Sequence, residues 1–137
     1  MLTDKQEIFD FVVTALAKQG KLSTNGGFCR YRASDGSKCA IGHLIPDRLY
    51  RSEMEGCAIA WRGYSAYLEI DEWRNNVSVD FLSDLQSVHD EAEINSETLE
   101  FKDIWELGGI AYKFVAFGVQ RNLNTASVGR YFNGTRK

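Results

Sequence analysis

The sequence predicts an α+β fold: a predominantly helical single domain with one antiparallel β-hairpin, at about residues 28–42, packed against helices. Three observations predict it. Apolar residues recur at helical spacing in three segments, beginning near residues 3, 78 and 96. One segment alternates with period two around a glycine-containing turn. The length of 137 residues, 44% of them hydrophobic, with eight Phe, six Tyr and three Trp, supports one sizeable core. Residues 1–132 are read as one globular domain and 133–137 as a frayed C-terminal tail.

The first helix is expected to start at Thr3, with Gln6 completing a capping box. Ile8, Val12 and Ala15 or Leu16 lie on one stripe, which Phe9 and Val13 widen, and Gly20 ends the helix. Residues 21–27 read as a loop. Phe28–Arg32 and Ser37–Gly42 then form the hairpin around Ala33-Ser34-Asp35-Gly36. A two-residue Asp35-Gly36 turn and a three-residue loop with Gly36 as a left-handed bulge predict different faces. The second is preferred because it sorts the chemistry. It places Cys29, Tyr31, Cys39 and Ile41 on the core side and Arg30, Arg32 and Lys38 in solvent.

Pro46 suits a turn or a helix start, and residues 57–70 lean to helix. Ser78 caps a helix running to Glu93, with Phe81, Leu85, Val88 and Ala92 as its stripe. Ser96 is expected to cap another, carrying Leu99, Ile104 and Leu107. Gly108-Gly109 then kinks it before Ile110–Val119 continues.

Charge is segregated. Residues 1–52 hold eight basic and five acidic residues (net +3), residues 53–106 hold three and fourteen (−11), and residues 107–137 hold five and none (+5). Such asymmetry bears on partners more than on fold. Asp80, Asp84, Glu91, Glu97, Asp103 and Glu106 lie off the apolar stripes and are expected to be exposed. They form a candidate surface for a basic protein partner.

The apolar stretches at Phe11–Ala17 and Val115–Val119 fall far short of the roughly 18–20 residues a bilayer requires, so no membrane partner is expected. The first six residues lack the pattern of a secretory signal. Three cysteines without dense spacing suit a reducing cytoplasm.

Cys29, Cys39, His43, Cys57 and His89 invite a metal reading, but the C-x9-C-x3-H spacing lacks the close pairs of structural zinc, so no metal is expected. Neither Gly26-Gly27 nor Gly108-Gly109 fits a phosphate-binding loop, and no cofactor is implied. Arg30, Arg32 and Lys38 are too few for direct nucleic-acid binding by an acidic chain. They are retained as candidate partner contacts on a solvated hairpin face. Cysteine catalysis needs a thiolate beside an oriented base, and Cys39, His89 and Asp90 could supply one. The alternative is structural: His89 borders the core and ties its helix to the hairpin by a hydrogen bond, with Cys39 in reach and no open cleft between them.

Cys29-x-Tyr31-Arg32, then Gly36-x-Lys38-Cys39-Ala40-x-Gly42-x-Leu44-Ile45-Pro46-Asp47, then Tyr50, Met54-Glu55-Gly56 and Leu85-Gln86-x-x-His89-Asp90, resemble small proteins of tailed bacteriophages and prophages. The resemblance covers roughly residues 1–115. It implies a setting, a viral accessory protein in bacterial cytoplasm, and no catalytic residue. Such proteins often bind host proteins, those of antiviral defence or nucleic-acid handling among them. The expectation is therefore a protein-binding accessory factor, with a small cysteine-dependent enzyme using Cys39 and His89 as the alternative.

Overall fold

The computed structural model describes residues 1–25, 28–56, 58–59 and 66–132. In chain order its elements are α1 (Lys5–Gln19), β1 (Thr24–Asn25), β2 (Phe28–Cys29), α2 (Ala66–Glu69), α3 (Asp71–Asn76), α4 (Val79–Asp90), α5 (Ile110–Gln120) and α6 (Ala126–Phe132). Short 3-10 turns occupy Gly42–Leu44 and Ser52–Met54.

Helix α1 ends as predicted, at Gly20 with φ 73°. Its start differs by one residue. Asp4, not Thr3, accepts from the Glu7 amide. Gln6 makes no capping box. Its side-chain amide instead exchanges two hydrogen bonds with the backbone of Asn124, at 2.8 and 2.9 Å, fastening α1 to the approach to α6. Ser78 caps α4 by accepting from the Asp80 amide.

Helices α1, α4, α5 and α6 meet on an aromatic cluster. Phe9 of α1 stacks on Phe117 of α5 with centroids 5.9 Å apart and meets Phe114 edge-on at 6.0 Å. Phe81 of α4 approaches Phe117 at 5.4 Å, and Phe132 of α6 approaches Phe114 at 6.2 Å. Each such pair adds about 0.5–1.5 kcal/mol beyond the area it buries. Trp73, Met54, Ile41 and Leu85 belong to the same buried cluster.

The expected hairpin over residues 28–42 does not form, and the protein is helical rather than α+β. Residues 28–29 pair backwards with 24–25, in the register Thr24–Cys29 and Asn25–Phe28. The Ala33–Gly36 turn is present, with Gly36 at φ 89°, but beyond it only the isolated Arg32–Lys38 bridge connects the two arms. The reason lies in where the backbone hydrogen bonds go. The Glu55 carboxylate accepts from the amides of Tyr31 (2.9 Å) and Arg32 (3.1 Å). Gln19 takes both backbone groups of Lys38, accepting from its amide and donating to its carbonyl, each at 2.9 Å. Gln86 accepts from the Ile41 amide at 3.0 Å. Side chains from three distant elements therefore occupy the groups a ladder needs. Gly42 completes the arrangement by packing directly on the Tyr31 backbone, where a Cβ would sit 2.0 Å from the Tyr31 carbonyl oxygen.

The helix expected from Ser96 is also absent. Asn95 bends the chain instead: its side-chain oxygen accepts from the amides of Glu97 and Thr98, and its carbonyl accepts from Leu99. A short polar side chain that bonds its own backbone in this way competes with helix. Leu99 and Asp103 take positive φ, and bridges pair Lys21 with Glu100 and Ile94 with Phe101. Helix α5 starts afresh at Gly109 and is not the far side of a kink. Part of the 57–70 segment, and the 133–137 tail, lie outside the described residues.

Candidate functional site

Asp90 is the link between the two candidates: it shares a cavity wall with Cys39 and is hydrogen-bonded to His89. The ring of His89 is completely buried. Its Nε2 accepts from the Ser23 amide at 3.1 Å, so the ring proton resides on Nδ1 and is donated to Asp90 Oδ1 at 2.8 Å. Gln86 Nε2 donates to the same Asp90 oxygen at 2.7 Å. The ring meets Phe101 edge-on, with centroids 6.4 Å apart. Both nitrogens are thus engaged, and neither is free to act as a base. The expected tie exists, but its backbone partner is Ser23, in the segment after α1. The Ser23 hydroxyl carries the connection onward by donating to the carbonyls of Arg30 (2.8 Å) and Ser37 (3.2 Å).

Cys39 is buried, and its sulfur accepts from the Gly42 amide at 3.3 Å. Burial pushes the thiol far above its ordinary range, with Asp90 adding in the same direction, which is the reverse of what a nucleophilic thiolate requires. A cavity of about 320 Å³ lies beside Cys39, with Arg30, Gln86 and Asp90 also in its wall, but it is not a cleft between Cys39 and His89. His89 does not line it. Among the described residues no three His, Cys, Asp or Glu side chains converge as a metal site. The side chains of Cys29 and Cys57 lie outside the description.

The two arginines expected to face solvent are folded into the scaffold. Arg32 donates to the Ile45 carbonyl at 3.0 Å, pairs with Asp47 at 2.8 Å and lies 4.2 Å from the Tyr50 ring centroid. Arg30 approaches Glu55 at 3.7 Å. Tyr50 donates to the same carboxylate at 2.5 Å. Lys38 is half-buried. Glu55, which sequence reasoning missed, is the anchor of this region. It stands in the Met54-Glu55-Gly56 motif, but of its partners only Tyr50 is close in sequence, while Arg30, Tyr31 and Arg32 lie more than twenty residues earlier.

All six candidate carboxylates, Asp80, Asp84, Glu91, Glu97, Asp103 and Glu106, are exposed. Asp84 pairs with Arg121 of α5 at 2.5 Å. Residues 80–106 carry nine carboxylates and a single lysine, Lys102. Beside them the outer surface of α5 is apolar. Trp105, Tyr112, Val115, Ala116 and Val119 line a groove of about 390 Å³. Leu107 is 81% exposed and Val119 63%. The charge segregation pointed to the carboxylates; nothing in the periodicity set Leu107 apart from a core residue.

No protein-family model matches the chain, and no curated protein or solved structure is significantly similar to it. No described helix is long and apolar enough to cross a membrane.

Proposed function

We propose that the protein is a phage-type accessory factor that acts in bacterial cytoplasm by binding a basic host protein through the carboxylate face of residues 80–106. A defence protein or a nucleic-acid-handling complex is the class of target this face suits. The observation that carries the reading is the exposure of all six carboxylates with only Lys102 among them in that segment. An acidic surface of this kind repels phosphate backbones and accelerates encounter with cationic proteins. The resemblance of roughly residues 1–115 to phage proteins suggests the cellular setting. Support against the cysteine-enzyme alternative comes from the protonated, buried Cys39 thiol and the fully engaged His89 ring.

The test is affinity capture from bacterial lysate with the wild type and with a variant carrying Asp80→Asn, Asp84→Asn, Glu91→Gln, Glu97→Gln, Asp103→Asn and Glu106→Gln. A basic protein should be retained by the wild type, released by raised salt and absent from the variant. Identical retention by both proteins overturns the assignment.

A further inference from the structure

We infer that the outer face of α5 seats an amphipathic helix of the partner, with apolar residues of that helix in the groove and its lysines or arginines against the carboxylate rim. The inference rests on the protein-binding reading above and gives it a location and a partner chemistry.

The face is unusual for a surface helix, which normally presents polar residues outward. Helix α5 buries Ile110, Ala111, Phe114, Phe117 and Gly118. Its opposite side presents Tyr112, Val115, Ala116 and Val119, at spacings of three, four and seven residues. Leu107 extends this stripe towards the N-terminal end. A second depression, of about 530 Å³, shares Tyr112, Ala116 and Gln120 with the apolar groove and reaches Asp84, Glu91 and Leu107. The apolar strip therefore adjoins carboxylates on the α4 side. Asp103 and Glu106, from the chain leading into α5, flank Trp105 in sequence at the other end.

Charge decides the occupant. Two cations line the second depression beside Asp84 and Glu91: Arg121, which is paired with Asp84 and lies 4.0 Å from the Phe117 ring centroid, and Lys113; with Asp103 and Glu106 on either side of Trp105, the border of the strip holds four carboxylates against these two cations. A lipid surface of anionic headgroups would be repelled, and so would nucleic acid. An apolar stripe with negative borders fits a helix with anchors at i, i+3, i+4 and i+7 and cationic flanks. Eleven residues of α5 span about 16 Å, enough for three turns of such a helix.

The probe is a fluorescein-labelled helical 14-residue peptide of leucine and lysine with leucines at that spacing, beside a control in which serine replaces every leucine. Fluorescence anisotropy should show the wild type binding the amphipathic peptide at least tenfold more tightly than the control. Val119→Glu should weaken binding tenfold or more although it adds a negative charge, and Leu107→Glu should do the same. Both positions are exposed, and circular dichroism melts confirm that each variant folds. Asp103→Asn with Glu106→Gln should weaken binding and flatten its salt dependence.

Equal binding of the control peptide, or tighter binding by Val119→Glu, would overturn the groove and leave a purely electrostatic surface. Binding of neither peptide would overturn the groove and count against the acidic-surface reading as well. A dimer in light scattering that Val119→Glu dissociates would replace the partner helix with a second copy of this chain.

Discussion

The imidazole of His89 accepts a hydrogen bond from the backbone amide of Ser23, 66 residues earlier, and so joins the end of α4 to the segment that leaves α1. Because Nε2 is the acceptor, the ring is neutral and its remaining proton faces Asp90. One side chain thereby fixes two elements and its own tautomer. His89→Ala removes both hydrogen bonds and leaves the buried Ser23 amide unpaired. Such a loss costs about 1–3 kcal/mol for the amide, with the cavity adding to it. The melting temperature should fall by several degrees. A melt indistinguishable from wild type would show that this bond carries no stability and would reopen a catalytic role for the ring.

Glu55 makes a second prediction. Its carboxylate accepts from two amides and from Tyr50, so Glu55→Ala strands three donors. A loss of about 2–4 kcal/mol in urea unfolding is expected, with Glu55→Gln recovering part of it because one oxygen remains. Equal stability of Glu55→Ala and wild type would mean that water satisfies these groups.

These two contacts also explain which parts of the structure were legible in the sequence. Helices α1 and α4 could be read because their stripes and caps are local: Gly20 and Ser78 act within a few residues of themselves. The 28–42 segment could not. Its alternation holds only in the first arm, where Tyr31 and Ala33 are buried about a half-buried Arg32; in the second, Cys39, Ala40 and Ile41 are all buried, and the backbone partners of the segment are Glu55, Gln19 and Gln86. Periodicity reports which face is buried and is silent on what satisfies the amides. At Asn95 a local side-chain bond defeated an apolar pattern that suited a helix. Helix α6 went unread because seven residues with Val128 and Phe132 inward give too short a stripe, although Asn124 accepting from the Ala126 amide is a recognisable start. At the site, the pairing of His89 with its neighbour Asp90 was legible; the orientation of the ring was not, because Ser23 sets it.

Cys39 should be chemically silent in the folded protein. In a background of Cys29→Ser and Cys57→Ser, its reaction with a disulfide reagent at pH 8 should be slower than in guanidinium-unfolded protein by orders of magnitude. Both the buried position and the raised thiol pKa predict this. Equal rates in the two states would show an accessible thiolate.

Stability should fall in acid through His43. Burial, with Lys38 nearby, lowers its imidazole from 6.5 to about 4, while Nε2 donates to Gln19 at 3.0 Å. The unfolded chain therefore takes up the proton first. The contribution of His43 is complete above about pH 6.5 and is lost as pH falls from there towards 4. Asp35 adds to the loss at lower pH, because its hydrogen bonds from Lys21 and Ser37 hold its carboxyl below the ordinary 3.8. Urea midpoints at pH 7 and pH 4.5 should differ more for wild type than for His43→Gln. An equal difference would remove His43 from the account.

Two glycines should respond to alanine with opposite signs. At Gly42 a Cβ would stand 2.0 Å from the Tyr31 carbonyl oxygen and 2.8 Å from its carbon, both backbone atoms with no rotamer to yield. Relief requires separating the 31 and 42 segments, which also strains the amides held by Glu55 and Gln86. Overpacking typically costs about 1–3 kcal/mol, and a backbone clash of this kind belongs at or above the upper end of that range. Gly129 lies inside α6, and no atom of the described residues comes within 4 Å of an added Cβ. There, alanine reduces the freedom of the unfolded chain and raises helix propensity, so a gain of about 0.5–1 kcal/mol is expected. Thermal melts of the two variants beside wild type measure both effects at once. A stable Gly42→Ala would show that the Tyr31 segment can move away, and a destabilised Gly129→Ala would show that α6 packs more closely than its open position implies.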